Sequence, residues 1–556
     1  MTADSPATAE NPATADSPAT ADRGLAESGL AESGLAEVVR AAATRHGTTP
    51  LYVLPDGSHL DYRGLDTQSD ALAAGLARRG IGPGHVVALL IPSGPAYAVA
   101  YSAAAKLGAV TAGVNERLSP PERAACLTVA QPRLVLGTDA LLDGTGAATL
   151  DGVGEVVVVP DPTSEADPAR VFAGMAAPGA AVPILEPDPD RPVAIVFTSG
   201  TTGLPKGAVF AARQLDAVSE ADGGRRWGGG GRGMSSTSFA HLGYMTKLPQ
   251  VLRGGGTTFV MARWSAGAAL DMIERHRLTS IGGIPTQVAL MLRHERFADS
   301  DVSSVRMVAL GGGPSTPALV RETRRGFGAP VVVRYTCTEA GVGVGTTPDD
   351  PDEDAEETVG RARPGVTLTI RDEEGRSLPS GEIGEVCLAS AATMTGYWRD
   401  PSATAEVFTH DGAVRTGDLG FLDDRGRLHL SGRAKEMYVR GGYNVFPLEV
   451  EAVLEEHPAV AHVAVVPRAD PVMGEIGVAV VVPRRTGLPP TLDELRAHGR
   501  GRLAAHKLPE AVLVVDELPR TAMEKVDRRA LAGLVAGSEP CGENEPPGGN
   551  QPSGGR

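Results

Sequence analysis

Short apolar runs alternate with helical patterns along most of the chain. Runs rich in valine, isoleucine and leucine predict strands at 85–94, 133–138, 154–160, 192–197 and 305–313. The segment "AYAVAYSAAAKLGAV" (96–110) predicts a helix of small residues. This alternation is typical of an α/β sandwich with largely parallel sheets. The segment 367–390 differs, because its turn residues and short apolar runs predict antiparallel hairpins.

The pattern changes near residue 432, where a second, compact unit begins. It predicts a helix, two strands, another helix and a last strand, at 447–458, 460–468, 477–485, 491–506 and 511–519. About 100 residues suffice for a domain with its own small core. We therefore predict an N-terminal domain over 34–431 and a C-terminal domain over 432–535. The hinge is placed in 431–438, where Gly432 and charged residues interrupt the apolar pattern.

Both ends of the chain have the composition of disordered tails. Residues 1–33 repeat "ADSPAT" and "GLAES", and residues 536–556 are rich in proline and glycine. Such segments bury too little apolar surface to offset the entropy of ordering. The N-terminus also lacks the basic and apolar regions of a signal peptide.

Composition narrows the class of protein. The chain has 556 residues, 42% of them hydrophobic, and a formal net charge of −16, which argues against binding to nucleic acid or to a membrane surface. No apolar run approaches the roughly eighteen residues of a membrane span. The four cysteines are scattered and include no C-x-x-C pair, so neither a zinc site nor a disulfide framework is indicated. We expect a soluble, cytoplasmic protein.

The segment 198–207, "TSGTTGLPKG", has the composition of a phosphate-binding loop. Its backbone N–H groups could face an anion, and Lys206 adds a positive charge. It is not a P-loop, because Pro205 stands where that motif needs its second glycine, and Gly207 follows the lysine. From the loop alone, a phosphate site and a glycine-rich hinge both remain open.

Seven segments in order resemble the adenylate-forming superfamily of acyl-CoA synthetases, aryl-CoA ligases, luciferases and peptide-synthetase adenylation domains. They are "TSGTTGLPKG", "GGGPS" (311–315), "RYTCTEAG" (334–341), "MTGYWRDP" (394–401), "RTGDLG" (415–420), "GRAKEMYVRGGYNVFPLEVE" (432–451) and "PRTAMEKVDRRAL" (519–531). The resemblance runs from about residue 35 to 535. It implies an α/β fold with a large N-terminal domain of layered α/β subdomains, which includes a small antiparallel, barrel-like section. A small, mobile α+β C-terminal domain follows.

The resemblance implies that the protein uses ATP and Mg²⁺, with CoA as a co-substrate. It also implies a role for each matching residue. The catalytic residues would be Lys525, which stabilises the reacting α-phosphate, Thr338, which donates to it, and Glu339, which binds Mg²⁺. Tyr335 would lie against adenine, Asp418 would bind the two ribose hydroxyls, and Arg433 would reach the ribose or the phosphate. The other nucleotide-binding positions would be Thr198, Ser199, Gly200, Thr201, Thr202, Gly203, Lys206, Gly312 and Gly313.

The same resemblance places an acyl pocket and a moving domain. The pocket would include His241, Tyr244, Pro285, Gly311 and Thr336, with Phe239 and Thr286 beside them. For His241, gating of this pocket and simple core packing are both open. Lys435 matches the hinge, about which the C-terminal domain rotates between the two half-reactions. Gly441 and Gly442 would then line the tunnel for the pantetheine arm.

Three departures from the family's pattern affect the chemistry rather than the fold. Glu524 replaces the usual glycine before Lys525, Thr336 replaces a glycine at the pocket wall, and "AARQ" (211–214) replaces the common T-H-R-N. The segment 223–233 is also unusually rich in glycine. A carboxylate at 524 could screen the lysine, so we predict that Glu524→Gly retains or raises adenylation.

The leading hypothesis is an AMP-forming acid–CoA ligase of fatty acid or aryl acid metabolism. The alternatives are transfer to a carrier protein supplied in trans, transfer to another biosynthetic nucleophile, and a non-catalytic nucleotide-binding protein. Joint retention of Lys206, Glu339, Asp418, Arg433 and Lys525 argues against the last. The sequence shows no aspartate positioned for an α-ammonium group, so an amino acid substrate is disfavoured. We expect a monomer or homodimer.

Overall fold

The computed structural model describes residues 34–163, 167–198, 205–235, 237–261, 263–485, 487–521 and 525–537. Several predictions from the sequence fall outside these ranges. They concern the tails at 1–33 and 538–556, the phosphate-loop residues Ser199, Gly200, Thr201, Thr202 and Gly203, and Glu524.

The strands of the N-terminal domain are short. In chain order they are β1 (Pro50–Val53), β2 (His59–Asp61), β3 (Val86–Leu90), β4 (Val110–Gly113), β5 (Leu134–Thr138), β6 (Glu155–Val159), β7 (Pro192–Thr198), β8 (Lys206–Ala211), β9 (Arg232–Met234), β10 (Thr257–Phe259), β11 (Ser280–Gly283), β12 (Met307–Gly311), β13 (Val331–Tyr335), β14 (Val344–Gly345), β15 (Arg361–Ala362), β16 (Thr367–Arg371), β17 (Gly384–Ala389), β18 (Gly396–Tyr397), β19 (Val414–Leu422) and β20 (Leu428–Arg433). Those of the C-terminal domain are β21 (Tyr438–Arg440), β22 (Tyr443–Val445), β23 (Val460–Asp470), β24 (Gly474–Pro483) and β25 (Ala511–Val514).

Helices cover the faces of the sheets. They are α1 (Leu35–His46), α2 (Tyr62–Arg78), α3 (Pro95–Lys106), α4 (Pro120–Ala130), α5 (Asp139–Leu142), α6 (Pro168–Val171), α7 (Ala212–Gly223), α8 (Leu242–Met245), α9 (Leu248–Gly254), α10 (Ala266–His276), α11 (Pro285–Leu292), α12 (Pro317–Phe327), α13 (Asp352–Glu357), α14 (Pro401–Val407), α15 (Pro447–Leu454), α16 (Leu492–Gly499) and α17 (Arg528–Gly537). Short 3₁₀ turns lie at Ala147–Thr149, Phe297–Asp299 and Ala505–Lys507.

Four sheets build the N-terminal domain. The largest has the order β18-β8-β7-β4-β3-β5-β6, and the others are β2-β1-β10-β9, β11-β12-β13-β14-β15 and β16-β17-β19-β20. The pairs from β7 through β6 in the first sheet are parallel, whereas the last sheet is entirely antiparallel. The predicted α/β architecture with a separate antiparallel section is confirmed.

Helix α3 consists largely of alanines. Its alanines are almost all buried, so the helix lies close to its neighbours. The buried Lys106 at its end forms ion pairs of 2.6 Å with Asp66 and Asp70 of α2. A buried charge without such partners would be costly. The helix predicted at 96–110 is confirmed.

One predicted helix is shorter than expected. The pattern at 491–506 predicts a continuous helix, but α16 ends at Gly499. Leu503 and Leu508 are buried in the core of the C-terminal domain, and a Cβ on Gly499 would lie 2.6 Å from Leu508 Cδ2. Close packing on this glycine turns the chain, and Gly501 follows with φ +79°. Tertiary contact therefore overrides the helical pattern.

The C-terminal domain is a five-stranded sheet with helices on both faces. Strand β24 pairs with β21, β23 and β25, and β22 extends the sheet beyond β21. Alternate residues of β23 enter two separate cores, one under α15 and α16 and the other under α17. Helix α17 runs to Gly537. Within the described residues, no helix combines the length and apolar character that crossing a bilayer requires.

Candidate active site

The predicted site residues lie where several strands end. Tyr335 closes β13, Gly311 closes the adjacent β12, and Lys206 opens β8. Asp418 and Arg433 face each other as a cross-strand pair of β19 and β20. The ends of parallel strands are the usual position of ligand sites in α/β proteins.

Tyr335, Asp418 and Arg433 form one hydrogen-bonded group. The Tyr335 hydroxyl donates to Asp418 Oδ2 over 2.7 Å, and Arg433 Nε donates to Asp418 Oδ1 over 3.0 Å. Burial, and secondarily the charge of Asp418, raise the pKa of Tyr335 well above its ordinary value. The tyrosine therefore stays a neutral donor, and the carboxylate keeps lone pairs for further donors such as ribose hydroxyls.

Glu339 is held by a residue that the sequence analysis missed. The Tyr397 hydroxyl donates to Glu339 Oε1 over 2.6 Å, and the Tyr397 ring lies under Lys206, whose Nζ is 5.1 Å from the ring centroid. Burial, with the negative charge of Glu339, raises the pKa of Tyr397. Tyr397 stands in the quoted segment "MTGYWRDP", but nothing in that segment shows which side chains it reaches.

Glycines shape the wall between β12 and α11. A Cβ on Gly311 would lie 3.1 Å from the Arg334 carbonyl oxygen, and Gly312 has φ +78°. A Cβ on Gly313 would lie 3.6 Å from Cδ of Pro285, the first residue of α11. Gly311, Gly312, Gly313 and Pro285 are thus brought together, as predicted for the nucleotide and acyl pockets.

Two further glycines form the turn after Tyr335. A Cβ on Gly343 would lie 2.3 Å from the Tyr335 carbonyl oxygen, and one on Gly341 would lie 2.3 Å from the Ala392 carbonyl oxygen. Gly341 also has φ +71°. Thr338 lies in this turn, and its carbonyl oxygen accepts from Gly341 N over 3.3 Å. Thr336 is exposed, and its hydroxyl donates to the Cys337 carbonyl oxygen over 3.1 Å.

Lys525 of the C-terminal domain lies beside this site. Lys525 is exposed to solvent, but neighbouring parts of the protein partly desolvate its ammonium group. That desolvation, followed by the positive charge of Arg433, lowers the pKa of Lys525, while Asp418 opposes the shift. The loop is held by hydrogen bonds of 2.8 Å from Thr521 N to the Lys525 carbonyl and from Asp527 N to the Pro519 carbonyl.

The charge of Lys525 also acts on His241. Burial, followed by the charge of Lys525, lowers the pKa of His241 to about 4. Its Nδ1 accepts a hydrogen bond from Gly243 N over 3.5 Å and caps α8. The imidazole is therefore neutral, and the charge of Lys525 acts on it.

An aromatic cluster continues from His241 into the domain. Tyr244 stacks on Phe239 with ring centroids 3.7 Å apart, and Tyr97 meets both rings edge-on. The Tyr244 and Tyr52 hydroxyls are 2.8 Å apart. The cluster belongs to the buried core of the domain, where Tyr244 is its partly exposed member, and it contains one internal hydrogen bond.

The residues predicted for the hinge and for the pantetheine tunnel lie apart from the other predicted site residues. Lys435 is exposed in the turn between β20 and β21, and Gly441 and Gly442 form the exposed tip of the β21–β22 hairpin. Gly441 N donates to the Met473 carbonyl over 2.8 Å, and Tyr443 stacks on His506 at 4.7 Å. Within the described residues, these contacts stay inside the C-terminal domain.

The phosphate loop joins two antiparallel strands rather than a strand and a helix. Thr198 at the end of β7 pairs with Lys206 at the start of β8. This geometry separates the loop from a P-loop, which leads into a helix. Thr198 and Lys206 are in place at its base, and Ser199, Gly200, Thr201, Thr202 and Gly203 lie outside the described residues.

Comparison with known proteins identifies the family. Residues 39–398 match the family described as AMP-binding enzyme, and residues 449–525 match the AMP-binding enzyme C-terminal domain. The chain belongs to the AMP-binding enzyme family. Enzymes of this family use ATP and Mg²⁺, with CoA as a co-substrate.

Curated relatives of this AMP-binding enzyme are ligases. It is 34% identical to indoleacetate–CoA ligase of Aromatoleum aromaticum, over 86% of this chain and 93% of the relative. It is 33% identical to feruloyl-CoA synthase of an Amycolatopsis species (87% and 94%) and to the fatty acid–[acyl-carrier-protein] ligase ScoC of Streptomyces coeruleorubidus (88% and 94%). The chain is an enzyme of the acid–CoA ligase class, which forms acyl adenylates and then thioesters.

Solved structures show the same fold. ATP-bound MatB from Rhodopseudomonas palustris has a TM-score of 0.81 at 27% identity and covers 90% of this chain and 99% of its own, whereas apo MatB gives 0.73 with the same identity and coverage. The amide bond synthetase McbA from Marinactinospora thermotolerans gives 0.79 at 29% identity, with coverage of 90% and 99%. The AMP-binding enzyme described here is therefore closer to the ATP-bound form of MatB.

Glu339 fits a magnesium site of the kind this family needs. Within the described residues, no group of three or more His, Cys, Asp or Glu side chains is arranged to hold a metal ion. Mg²⁺ in nucleotide sites is usually bound by one or two carboxylates together with phosphate oxygens and water. Glu339 accepts from Tyr397 and also interacts with the Cys337 thiol, and its carboxylate keeps lone pairs for such an ion.

Proposed function

We propose that this protein couples ATP to a carboxylic acid and then transfers the acyl group to the thiol of CoA. A carboxylate oxygen attacks the α-phosphorus, the bond from that phosphorus to pyrophosphate breaks, and an acyl adenylate forms. The CoA thiol then attacks the acyl carbon and AMP leaves. The hydrogen-bonded group of Tyr335, Asp418 and Arg433 carries the proposal, because it joins the residues predicted to bind adenine and ribose, and Lys525 of the C-terminal domain acts electrostatically on the same group.

Each side chain has a role that follows from its contacts. Tyr335 and Arg433 hold the Asp418 carboxylate in place, and it accepts hydrogen bonds from the two ribose hydroxyls. Lys206 binds the phosphates that leave as pyrophosphate. Lys525 stabilises the negative charge that develops at the α-phosphate. Mg²⁺, held by Glu339 and the phosphates, would neutralise phosphate charge. We place the pivot of the C-terminal domain at Lys435, with domains over 34–431 and 432–535.

Aryl acids are the substrates that we propose. Tyr244, three residues after His241, is only partly buried and stacks on the core residue Phe239, and an aromatic ring of a substrate packs well beside such a side chain. A neutral His241 adds no charge to the pocket. Two of the relatives act on indoleacetate and on ferulate according to their names, which supports the same class.

A carrier protein is the second candidate acceptor. One relative is named as a ligase that acts on an acyl carrier protein, and the likeness to an amide bond synthetase extends to 90% of this chain. Either acceptor uses the same adenylate, so only the second step differs. A cytoplasmic location and a monomeric or dimeric state stay predictions.

The test is pyrophosphate release from ATP across a panel of aryl, fatty and amino acids, with CoA, with a phosphopantetheinylated carrier protein, or with neither. We expect acid-dependent pyrophosphate with aryl acids and a CoA thioester when CoA is present. Thioester only on the carrier would assign the second acceptor. No acid-dependent pyrophosphate from any panel member would contradict the proposed reaction.

A further inference from the structure

Tyr397 lies between two groups of opposite charge in the site. Its hydroxyl donates to Glu339 Oε1 over 2.6 Å, and its ring faces Lys206, with Nζ 5.1 Å from the ring centroid. The carboxylate lies at the hydroxyl end of the ring and the ammonium over its face, and without the ring these opposite charges would attract each other strongly in a partly buried site.

The backbone around Tyr397 sets this separation. Strand β18 pairs with β8 through Tyr397 and Ala208, and Trp398 N donates to the Gly207 carbonyl over 2.7 Å, next to Lys206. On the other side, Met394 N donates to the Glu339 carbonyl over 2.9 Å. The segment 394–398 is therefore bound to the backbone of both charged residues.

Two further contacts fix Tyr397 itself. Its N–H donates to Thr404 Oγ1 over 2.8 Å, and that hydroxyl donates in turn to the Asp400 carbonyl over 2.7 Å. A Cβ on the preceding Gly396 would lie 2.9 Å from Thr404 Cγ2, so the strand lies directly against α14. The backbone of Tyr397 therefore cannot move without breaking these contacts.

We propose that Tyr397 is a positioning residue that keeps Lys206 and Glu339 apart and orients Glu339. Without its ring, the lysine and the carboxylate would pair, and each would lose its free charge for nucleotide phosphates or for Mg²⁺. Its hydroxyl fixes one carboxylate oxygen and leaves the other for the ion, in the way that outer hydrogen bonds orient metal ligands. This role rests on the proposed use of ATP and Mg²⁺, but its test needs no acid.

Two variants separate the ring from the hydroxyl. Tyr397→Phe keeps the ring and loses the hydrogen bond, whereas Tyr397→Leu loses both the hydroxyl and the aromatic face. The control is Tyr101→Phe, which removes a buried hydroxyl bonded to the Met245 carbonyl over 2.8 Å. The readout is equilibrium binding of a fluorescent ATP analogue, first with a chelator and then over a titration of Mg²⁺.

The expected results differ between the variants. Tyr397→Phe binds the metal-free nucleotide as the wild type does but needs about 10-fold more Mg²⁺ for the metal-dependent gain in affinity. Tyr397→Leu shows the same metal defect and also binds the metal-free nucleotide about 3- to 10-fold more weakly, because Lys206 is paired. Adding Glu339→Gln to Tyr397→Leu restores the metal-free affinity, since the lysine then has no carboxylate to pair with.

Each other outcome counts against the proposal. Equal binding by the two Tyr397 variants in the absence of metal would remove the separating role, and an unchanged Mg²⁺ titration for Tyr397→Phe would remove the orienting role. Loss of nucleotide binding in Tyr101→Phe as well would mean that general destabilisation explains the data. Because these experiments measure binding alone, they can succeed even if the acid panel shows no adenylation.

Discussion

Arg293 Nη1 donates a hydrogen bond to His462 Nε2 over 3.0 Å, and this bond joins the two domains. Arg293 follows α11 of the N-terminal domain, and His462 belongs to β23 of the C-terminal domain. Further along β23, the Val465 carbonyl accepts from Arg528, three residues after Lys525. The bond between Arg293 and His462 therefore contacts the same part of the C-terminal domain that carries Lys525.

We expect Arg293→Met to release Lys525 from the site in part. Loss of an exposed hydrogen bond of this kind changes the equilibrium between domain positions by about two- to fivefold. Competitive labelling of lysines with acetic anhydride, read by mass spectrometry, should then show Lys525 with a pKa closer to its ordinary value. The control Arg296→Met breaks an ion pair of 2.7 Å with Asp271 that stays within one domain, and it should leave Lys525 unchanged. Unchanged labelling in Arg293→Met would show that the bond does not hold the domains.

Lys525→Ala should reduce acid-dependent exchange of pyrophosphate into ATP by about 100- to 1,000-fold, since one charge that stabilises the transition state is lost. Thioester formation from a supplied acyl adenylate should continue. Lys507→Ala is the matched control, because Lys507 is paired with Glu449 at 2.6 Å within the C-terminal domain. Normal exchange in Lys525→Ala would overturn the assignment of this lysine.

His241 should remain neutral between pH 5 and pH 8, because burial and Lys525 lower its pKa to about 4. The unfolded state binds this proton near pH 6.5, so the folded state loses stability as the pH falls from 6.5 towards 4, by at most ~3 kcal/mol. NMR of histidine-labelled protein, with His241→Asn to assign the signal, measures the titration. A midpoint near 6.5 would contradict the burial of this ring.

Asp418→Asn should weaken ATP binding by about 10- to 100-fold, because hydrogen bonds to a carboxylate are stronger than those to an amide. Tyr335→Phe removes one bond that orients Asp418 and should have a smaller effect in the same direction. Asp271→Asn changes a carboxylate paired with Arg296 on the surface, and it should leave ATP affinity unaltered. Isothermal titration calorimetry with ATP measures all three, and an unaffected Asp418→Asn would exclude the ribose contact.

Gly343→Ala should lower the free energy of unfolding by at least ~2 kcal/mol, because its Cβ would lie 2.3 Å from the Tyr335 carbonyl oxygen. The displaced strand end should also weaken ATP binding. Gly174→Ala provides the comparison, since a Cβ there meets nothing within 4 Å and should be tolerated. Urea denaturation measures both, and equal stability of the two variants would show that the backbone at 343 adjusts freely.

Local patterns were sufficient for most elements of the fold. The strand predicted at 133–138 is β5, the helix predicted at 96–110 corresponds to α3 but ends earlier, at Lys106, and the hairpin region at 367–390 is β16 with β17. These segments succeed because each buries its apolar residues with the periodicity of its own backbone. The helix at 491–506 failed because packing of Leu508 on Gly499 is a contact that no local pattern contains.

The candidate site, like the fold, was predicted from the sequence only in part. The sequence alone determined the chemistry available, because seven short segments carry the charged, hydroxyl and glycine residues of an adenylate-forming enzyme in order. Only the tertiary structure decided which of them meet. Tyr397 touches Glu339 and Lys206, and Tyr335 bonds to Asp418, over separations of roughly sixty to two hundred residues. Such contacts depend on strand pairing and domain orientation, which no single segment encodes.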